Sequence, residues 1–262
     1  MLAPTVVAAP NRGRGRLARV TREPYYQPDL ARIHHLGFGF HADACAPGIV
    51  ELLADVRQRN GLVLEVGCGS GLLTRYLTDA GHRVVATDAS PAMLELAAQN
   101  IGSAAEIGRL TLPEDPVPPA DAIVSVGHAL SYLPDAQALD RSLIALATAL
   151  RPGGVLAIDL CDLEWGRHRR GERPAGWVGD DWAIVTEFPF EGEDRYIREM
   201  TTFTQTPDGA YRRGHERHHN VLIDTSTIPA RLASVGLTAE VRPAFGDEQL
   251  PAGLVAIVAR RA

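Results

Sequence analysis

Seven consecutive residues, Glu65-Val66-Gly67-Cys68-Gly69-Ser70-Gly71, combine one acid with three alternate glycines, and Asp88 follows 21 positions after Gly67. Glycines spaced this way let the chain turn tightly and let a ligand approach bare backbone. A helix that follows such a turn points free N–H groups and its positive dipole end at that ligand. An acid about 20 residues downstream, at the end of the next strand, is placed to accept hydrogen bonds from both hydroxyls of a ribose. The chemistry this spacing serves is the binding of a nucleoside ligand. The flanking sequence supplies the elements that must position it. Leu62-Val63-Leu64 open a strand over 62–66, an amphipathic helix covers 71–80, and Arg83 to Thr87 form a second strand that leads into Asp88.

A dinucleotide turn has the pattern G-x-G-x-x-G, whose wider gap gives a pyrophosphate room. Here the pattern is Gly67-x-Gly69-x-Gly71 with Glu65 before it. It resembles the first motif of the class I S-adenosylmethionine (SAM) dependent methyltransferases, of the type that acts on small molecules. The resemblance extends over roughly 62–160. Asp88 matches the family's ribose-binding acid, Asp121-Ala122-Ile123-Val124-Ser125 its fourth strand, and Leu150-Arg151-Pro152-Gly153-Gly154-Val155-Leu156 the loop into its fifth.

The resemblance implies an α/β fold, a doubly wound and mostly parallel seven-stranded sheet that ends in a C-terminal antiparallel hairpin, with SAM as cofactor. It implies that Glu65, Gly67, Cys68, Gly69 and Gly71 hold the methionine half of SAM. Asp88, with Ala89 beside it, takes the ribose, and Ser125 borders the site at the end of the fourth strand. Asp88 has a competing structural role as a cap for the helix that starts at Ser90. Cys68 reads as a small residue that fits the turn, not as a nucleophile. The family often places a polar group near the adenine, but the matching stretch here is Ile107-Gly108-Arg109-Leu110. Arginine cannot accept a hydrogen bond, so the backbone N–H of Arg109 or Leu110 is the expected adenine contact.

Methyl transfer requires alignment of donor and acceptor, and often the removal of one proton. The candidates for that proton are His128, then Tyr132, both after the fourth strand, and then His35 from an N-terminal segment that would close over the cleft. His128 reads equally well as a structural histidine bonded to backbone. His215, His218 and His219 form no metal site on this reading, because adjacent strand residues face opposite sides; a solvated or lid-lining role is expected. Trp165, Trp177 and Trp182 either wall an acceptor pocket or pack an insertion.

The 26 basic residues are all arginine. The absence of lysine excludes a P-loop, a pyridoxal phosphate or Schiff-base enzyme, and the Tyr-x-x-x-Lys pair of a short-chain dehydrogenase. A formal net charge of -6 argues against a large nucleic-acid surface. No apolar run approaches the ~18 residues of a membrane span. Cys45, Cys68 and Cys161 read as reduced thiols in a cytoplasmic protein.

Four segments are expected. Residues 1–24 are a flexible Arg-rich tail. Residues 25–160 are the SAM-binding core, with an aromatic and His-rich N-terminal cover and a helix from Pro47 to Arg59. Within this core, Ser90 caps a helix with Pro91 at its first position, a weak strand lies near 105–107, a strand covers 121–126, a helix 135–150 and a strand 154–160. Residues 161–223 are an insertion: a loop over 163–181, then an antiparallel meander of three segments. That meander is a lid, a substrate element or the surface of a homodimer. Residues 224–262 are a final helix with Gly236 as its cap and a closing hairpin.

The fourth strand lacks the Asn/Asp-Pro-Pro-Tyr/Phe block of enzymes that methylate base or amide nitrogens. The expected partner is therefore a small-molecule methyl acceptor, with no membrane or nucleic acid, and the activity is O- or N-methylation in specialised metabolism. The alternatives are a SAM-binding scaffold for a non-methylating cyclisation or isomerisation and, more weakly, an RNA methyltransferase.

Overall fold

A computed structural model of the protein describes residues 25–262; the Arg-rich tail expected over 1–24 lies outside the described residues. Seven strands form one sheet: β1 (Leu62–Val66), β2 (Arg83–Asp88), β3 (Glu106–Arg109), β4 (Ala120–Ser125), β5 (Leu150–Cys161), and the late strands β10 (Leu237–Arg242) and β11 (Leu254–Arg261). Their order is β10-β11-β5-β4-β1-β2-β3. β1 to β5 pair in parallel, and β11 runs antiparallel to both β5 and β10. This is the doubly wound, mostly parallel sheet with a C-terminal hairpin that the sequence predicts.

Eight helices accompany the strands among the described residues: α1 (Pro28–Gly37), α2 (Phe40–Leu52), α3 (Ala54–Gln58), α4 (Leu72–Asp79), α5 (Pro91–Ile101), α6 (Ala136–Ala149), α7 (Leu163–Arg169) and α8 (Ile228–Ala233). Strand side chains alternate between faces, so the sheet builds two cores. Val63, Val124, Val155 and Ala157 pack with Ile49 of α2, Val56 of α3, and Leu73 and Leu77 of α4. Leu64, Ile123, Leu156 and Ile158 pack with Leu139, Leu143 and Leu146 of α6 and Leu232 of α8. A parallel sheet needs both faces covered, and these helices cover them. β1 lies between β2 and β4, so the chain leaves its C-terminal end where the strand order reverses. In open α/β sheets ligands bind at such a point.

The second sheet is an antiparallel meander of β6 (Ala175–Val178), β7 (Trp182–Glu187), β8 (Arg195–Gln205) and β9 (Tyr211–Val221). It packs on α1 through Leu30, Ile33, Trp182, Ile184 and Met200.

Three expectations are corrected. The helix expected from Pro47 to Arg59 begins at Phe40 instead, with Pro47 inside α2 and a break before α3. Proline favours a first turn, but burial of Cys45, Ala46 and Ile49 carries the helix through it. The loop expected over 163–181 contains α7, capped by the Asp162 carboxylate accepting from the Glu164 N–H, and the strand β6. The meander therefore has four strands, not three.

Candidate active site

The glycine turn and Asp88 form one unit. Asp88 Oδ2 accepts from the Gly69 N–H at 2.9 Å and Oδ1 from the Ser90 N–H at 2.8 Å. Cys68 N–H donates to Thr87 O at 2.8 Å, and Thr87 Oγ1 donates to Glu65 O at 2.7 Å, locking the end of β1 to the end of β2. Gly71 caps α4 with φ +83°, and a side chain there would meet Ile101 Cδ1 at 2.4 Å. Gly69, at φ +55°, differs: a Cβ would find nothing nearer than Met93 Sδ at 4.0 Å. One glycine is required by packing, whereas the other leaves space open. Ser90 caps α5 as predicted, its hydroxyl accepting from the Met93 N–H.

Burial raises the Asp88 carboxyl above its usual range, opposed by the Ser90, Gly69 and Ala89 amides. Glu65 is buried, accepts a 2.7 Å bond from Thr74 Oγ1, and is pushed up by burial to about 8. Burial also holds the Cys68 thiol well above its ordinary value, so it is no thiolate nucleophile. Leu110 N–H donates to the Asp88 carbonyl at 3.2 Å. That removes Leu110 as the expected adenine donor and leaves Arg109. Ser125 Oγ is fully buried without a partner. A Cβ at Gly108 or Gly127 would likewise touch nothing within 4 Å. Open space at Gly69, Gly108 and Gly127, an orphaned hydroxyl at Ser125 and an acid on the turn together fit SAM.

A second group of residues gathers beyond β4. His128 follows Gly127 in the left-handed region, with φ 48°. Its N–H donates to Asp159 Oδ1 at 2.6 Å, and the Gly127 N–H donates to Oδ2 at 2.9 Å. Asp159, on β5, is fully buried and pairs with His41 Nε2 of α2 at 2.8 Å. The His128 ring stacks on Tyr132 at 5.6 Å and tilts against Trp165 at 5.5 Å. Its Nδ1 is buried without a partner. Burial, then the Arg198 and His41 charges, pull its pKa well below 6.5, so the imidazole is neutral at physiological pH.

Tyr132 Oη lies 2.7 Å from Tyr26 Oη and accepts from Arg198 Nη2. Glu216, on β9, accepts from the Tyr26 and Gln27 N–H groups at 2.8 Å each and meets His218 Nε2 at 2.8 Å. Burial lifts the Glu216 carboxyl to about 7. Tyr26 O accepts from Ser90 Oγ at 2.8 Å, so the start of the N-terminal segment lies directly beside the Asp88 turn.

The structure therefore brings His128 and Tyr132 together. His35 is placed elsewhere: its Nδ1 meets Ser70 Oγ of the glycine turn at 2.9 Å. His218 and His219 are buried, which corrects the solvated role, whereas His215 is half exposed and near Glu199. Among the described residues no group of three or more His, Cys, Asp and Glu could hold a metal. Trp165 lines the His128 cluster, Trp182 packs against α1, and Trp177 is exposed beside Phe38. All three cysteines are unpaired and buried.

Residues 63–154 match the model of a family described as a methyltransferase domain. A solved S-adenosylmethionine-dependent methyltransferase from Clostridium acetobutylicum superposes with a TM-score of 0.73 at 18% identity, covering 88% of this chain and 98% of that one. The chain thus has the fold of a SAM-dependent methyltransferase, and its residues 63–154 are similar to a methyltransferase domain. The sugar N-methyltransferase KedS8 from Streptoalloteichus has the same fold, with a TM-score of 0.71 at 21% identity over 95% of this chain and 99% of that one. Glycine N-methyltransferase of Rattus norvegicus is 31% identical over 157 residues, or 52% of this chain and 53% of the relative. The chain thus spans about half the length of the curated relatives it matches. No helix among the described residues is long and apolar enough to cross a membrane.

The segment similar to a methyltransferase domain ends before several residues that complete the cluster: Asp159, Trp165, Arg198, Glu216 and His218 lie beyond it. The sequence reading missed His41, Asp159, Arg198 and Glu216 as site residues. Asp159 carried a signal, an acid inside the apolar run Val155 to Leu160. Arg198 carried none, because an arginine in an alternating strand reads as solvent-facing.

Proposed function

We propose that the protein transfers a methyl group from SAM to an oxygen or nitrogen atom of a small molecule in specialised metabolism. Nitrogen is favoured, because the rat relative and the Streptoalloteichus structure are both named as N-methyltransferases. The observation that carries the reading is the bond from Gly69 N–H to Asp88. It joins the glycine turn after β1 to the acid at the end of β2, beside the point between β1 and β4 where the strand order reverses.

When bound, SAM supplies a methyl already activated on a sulfonium. The chain's residues bind, orient and take a proton. Asp88 would accept both ribose hydroxyls, with Ala89 beside it, and the Arg109 N–H would donate to the adenine. Glu65 and the turn at Gly67, Cys68, Gly69 and Gly71 would hold the methionine half, with Ser125 bordering the site at the end of β4. Asp159 holds the Gly127–His128 loop through two amides and is itself held by His41. On this reading His128 Nδ1, neutral and unpartnered among the described residues, takes a proton from the acceptor. Tyr132 orients the acceptor, and His35 steadies the turn through Ser70. The N-terminal segment and the meander exclude water and act as a lid.

The test is to incubate the protein with SAM and a pool of small amines and alcohols, then read product masses. A product heavier by one methyl supports the reading. A rearranged product of unchanged mass would replace it with a non-methylating scaffold.

A further inference from the structure

The meander face that meets the His128 cluster carries polar groups that no partner satisfies among the described residues. β8 and β9 pair with Arg198 opposite His218 and Tyr196 opposite Asn220. By strand alternation Arg198, Tyr196, His218 and Asn220 share one face. Arg198 is directed to the turn after β4, where Nη2 donates to Tyr132 Oη. A guanidinium has five N–H donors. Arg198 Nε is buried without a partner, and Arg198 makes no ion pair among the described residues. Both amide atoms of the fully buried Asn220 also lack partners, as does Trp165 Nε1. Nearby Glu216 is already engaged by the Tyr26 and Gln27 amides and by His218.

A buried cation without a counter-charge is costly, and so is each buried polar atom left unpaired. A protein that keeps them on one face beside its reaction centre keeps them for a ligand. We infer that the methyl acceptor carries a single negative charge, a carboxylate, and that Arg198 binds it with the Asn220 amide as second contact. The inference rests on the proposed function and names the substrate class for that site.

A monoanion matches the charge available. Burial and Arg198 hold His34 at about 4 and His128 well below 6.5, so neither ring adds a positive charge to that of Arg198. A phosphate dianion would leave a charge uncompensated. The planar guanidinium edge also suits a planar carboxylate, which it can hold through two parallel bonds.

The test uses benzoate, benzamide and phenyl phosphate as probes. Each is titrated calorimetrically into the full chain, with and without S-adenosylhomocysteine. Benzoate is expected to bind at least tenfold tighter than benzamide and tighter than phenyl phosphate. Arg198→Met should abolish that preference, and Arg198→Lys should restore part of it. Thermal melting and S-adenosylhomocysteine affinity report whether each variant is folded, and Asn220→Ala, expected to weaken benzoate severalfold, gives a second route if Arg198→Met is not. Equal binding of benzoate and benzamide, or a benzoate preference that survives Arg198→Met, overturns the inference. Preference for phenyl phosphate overturns it in favour of a phosphorylated acceptor. Failure to bind S-adenosylhomocysteine would instead sink the proposed function, while the benzoate comparison without it still decides the charge of the site.

Discussion

Replacing Asp88 with alanine tests the nucleoside site at its centre. Its Oδ2 accepts from the Gly69 N–H at 2.9 Å and Oδ1 from the Ser90 N–H at 2.8 Å, which leaves lone pairs on the carboxylate for two ribose hydroxyls. A hydrogen bond to a charged group contributes about 1.5–3 kcal/mol. The lower end applies here, because burial raises the Asp88 pKa and backbone amides already share its charge. Two such bonds sum to about 3 kcal/mol, or roughly 100-fold in Kd at about 1.4 kcal/mol per tenfold. Asp88→Asn keeps one carbonyl oxygen but turns an NH2 group toward the Gly69 or Ser90 amide, and about tenfold is expected. The assay is calorimetric titration of SAM and of S-adenosylhomocysteine, with thermal melting alongside, since alanine also leaves the Gly69 and Ser90 N–H groups without their acceptor. A folded Asp88→Ala variant that binds either ligand within threefold of the wild type would refute the ribose role and reduce Asp88 to a cap for α5.

The two glycines of the turn should separate binding from folding. Gly71→Ala drives a Cβ to 2.4 Å from Ile101 Cδ1 and should lower the melting temperature, whereas Gly69→Ala meets only Met93 Sδ at 4.0 Å and should lose SAM affinity at a smaller stability cost; the reverse pattern would contradict the assignment of the open space to ligand. For His128, burial and neighbouring charge depress the pKa, so the acid limb of kcat should fall below pH 6.5, and His128→Asn should cut kcat by about 10²–10⁴. A limb at or above pH 6.5, or near-wild-type kcat in the variant, would remove His128 as the proton acceptor. Glu65 is raised from the usual carboxylate range to about 8, so between pH 4.5 and 8 the folded chain binds more protons than the unfolded one and loses stability as pH rises. Glu65→Gln, which keeps an acceptor for Thr74 Oγ1, should remove that loss, on the order of 1 kcal/mol per pH unit, in melting curves of the SAM-free protein from pH 5 to 8.5. Parallel pH profiles for wild type and variant would show that Glu65 is ionised in the fold.

The cofactor half of the site was legible because its signals are local. The glycine turn, the Asp88 spacing and the Ser90-Pro91 helix start each lie within one strand–turn–helix unit, where backbone rules act directly. The acceptor half was not. Arg198 meets Tyr132 across 66 positions, and Tyr26 meets Glu216 across 190. Nothing in a strand of alternating polar residues marks which face a second sheet will bury, so His218 read as either solvated or lid-lining, and only the fold shows that it is almost fully buried. His41 was hidden for a different reason. Pro47 read as the start of a helix, and tertiary packing extended that helix back to Phe40, bringing His41 over Asp159. The same limit applies to the adenine contact: only strand pairing reveals that the Leu110 N–H is already bonded to Asp88 O.

The most direct test of the central claim is label transfer. The protein is mixed with SAM labelled on its methyl group and an extract of cells lacking the gene. The account predicts label in an organic-soluble small molecule with the wild type, and little with His128→Asn or Asp88→Ala. Saturable SAM binding with the label remaining on SAM would contradict it.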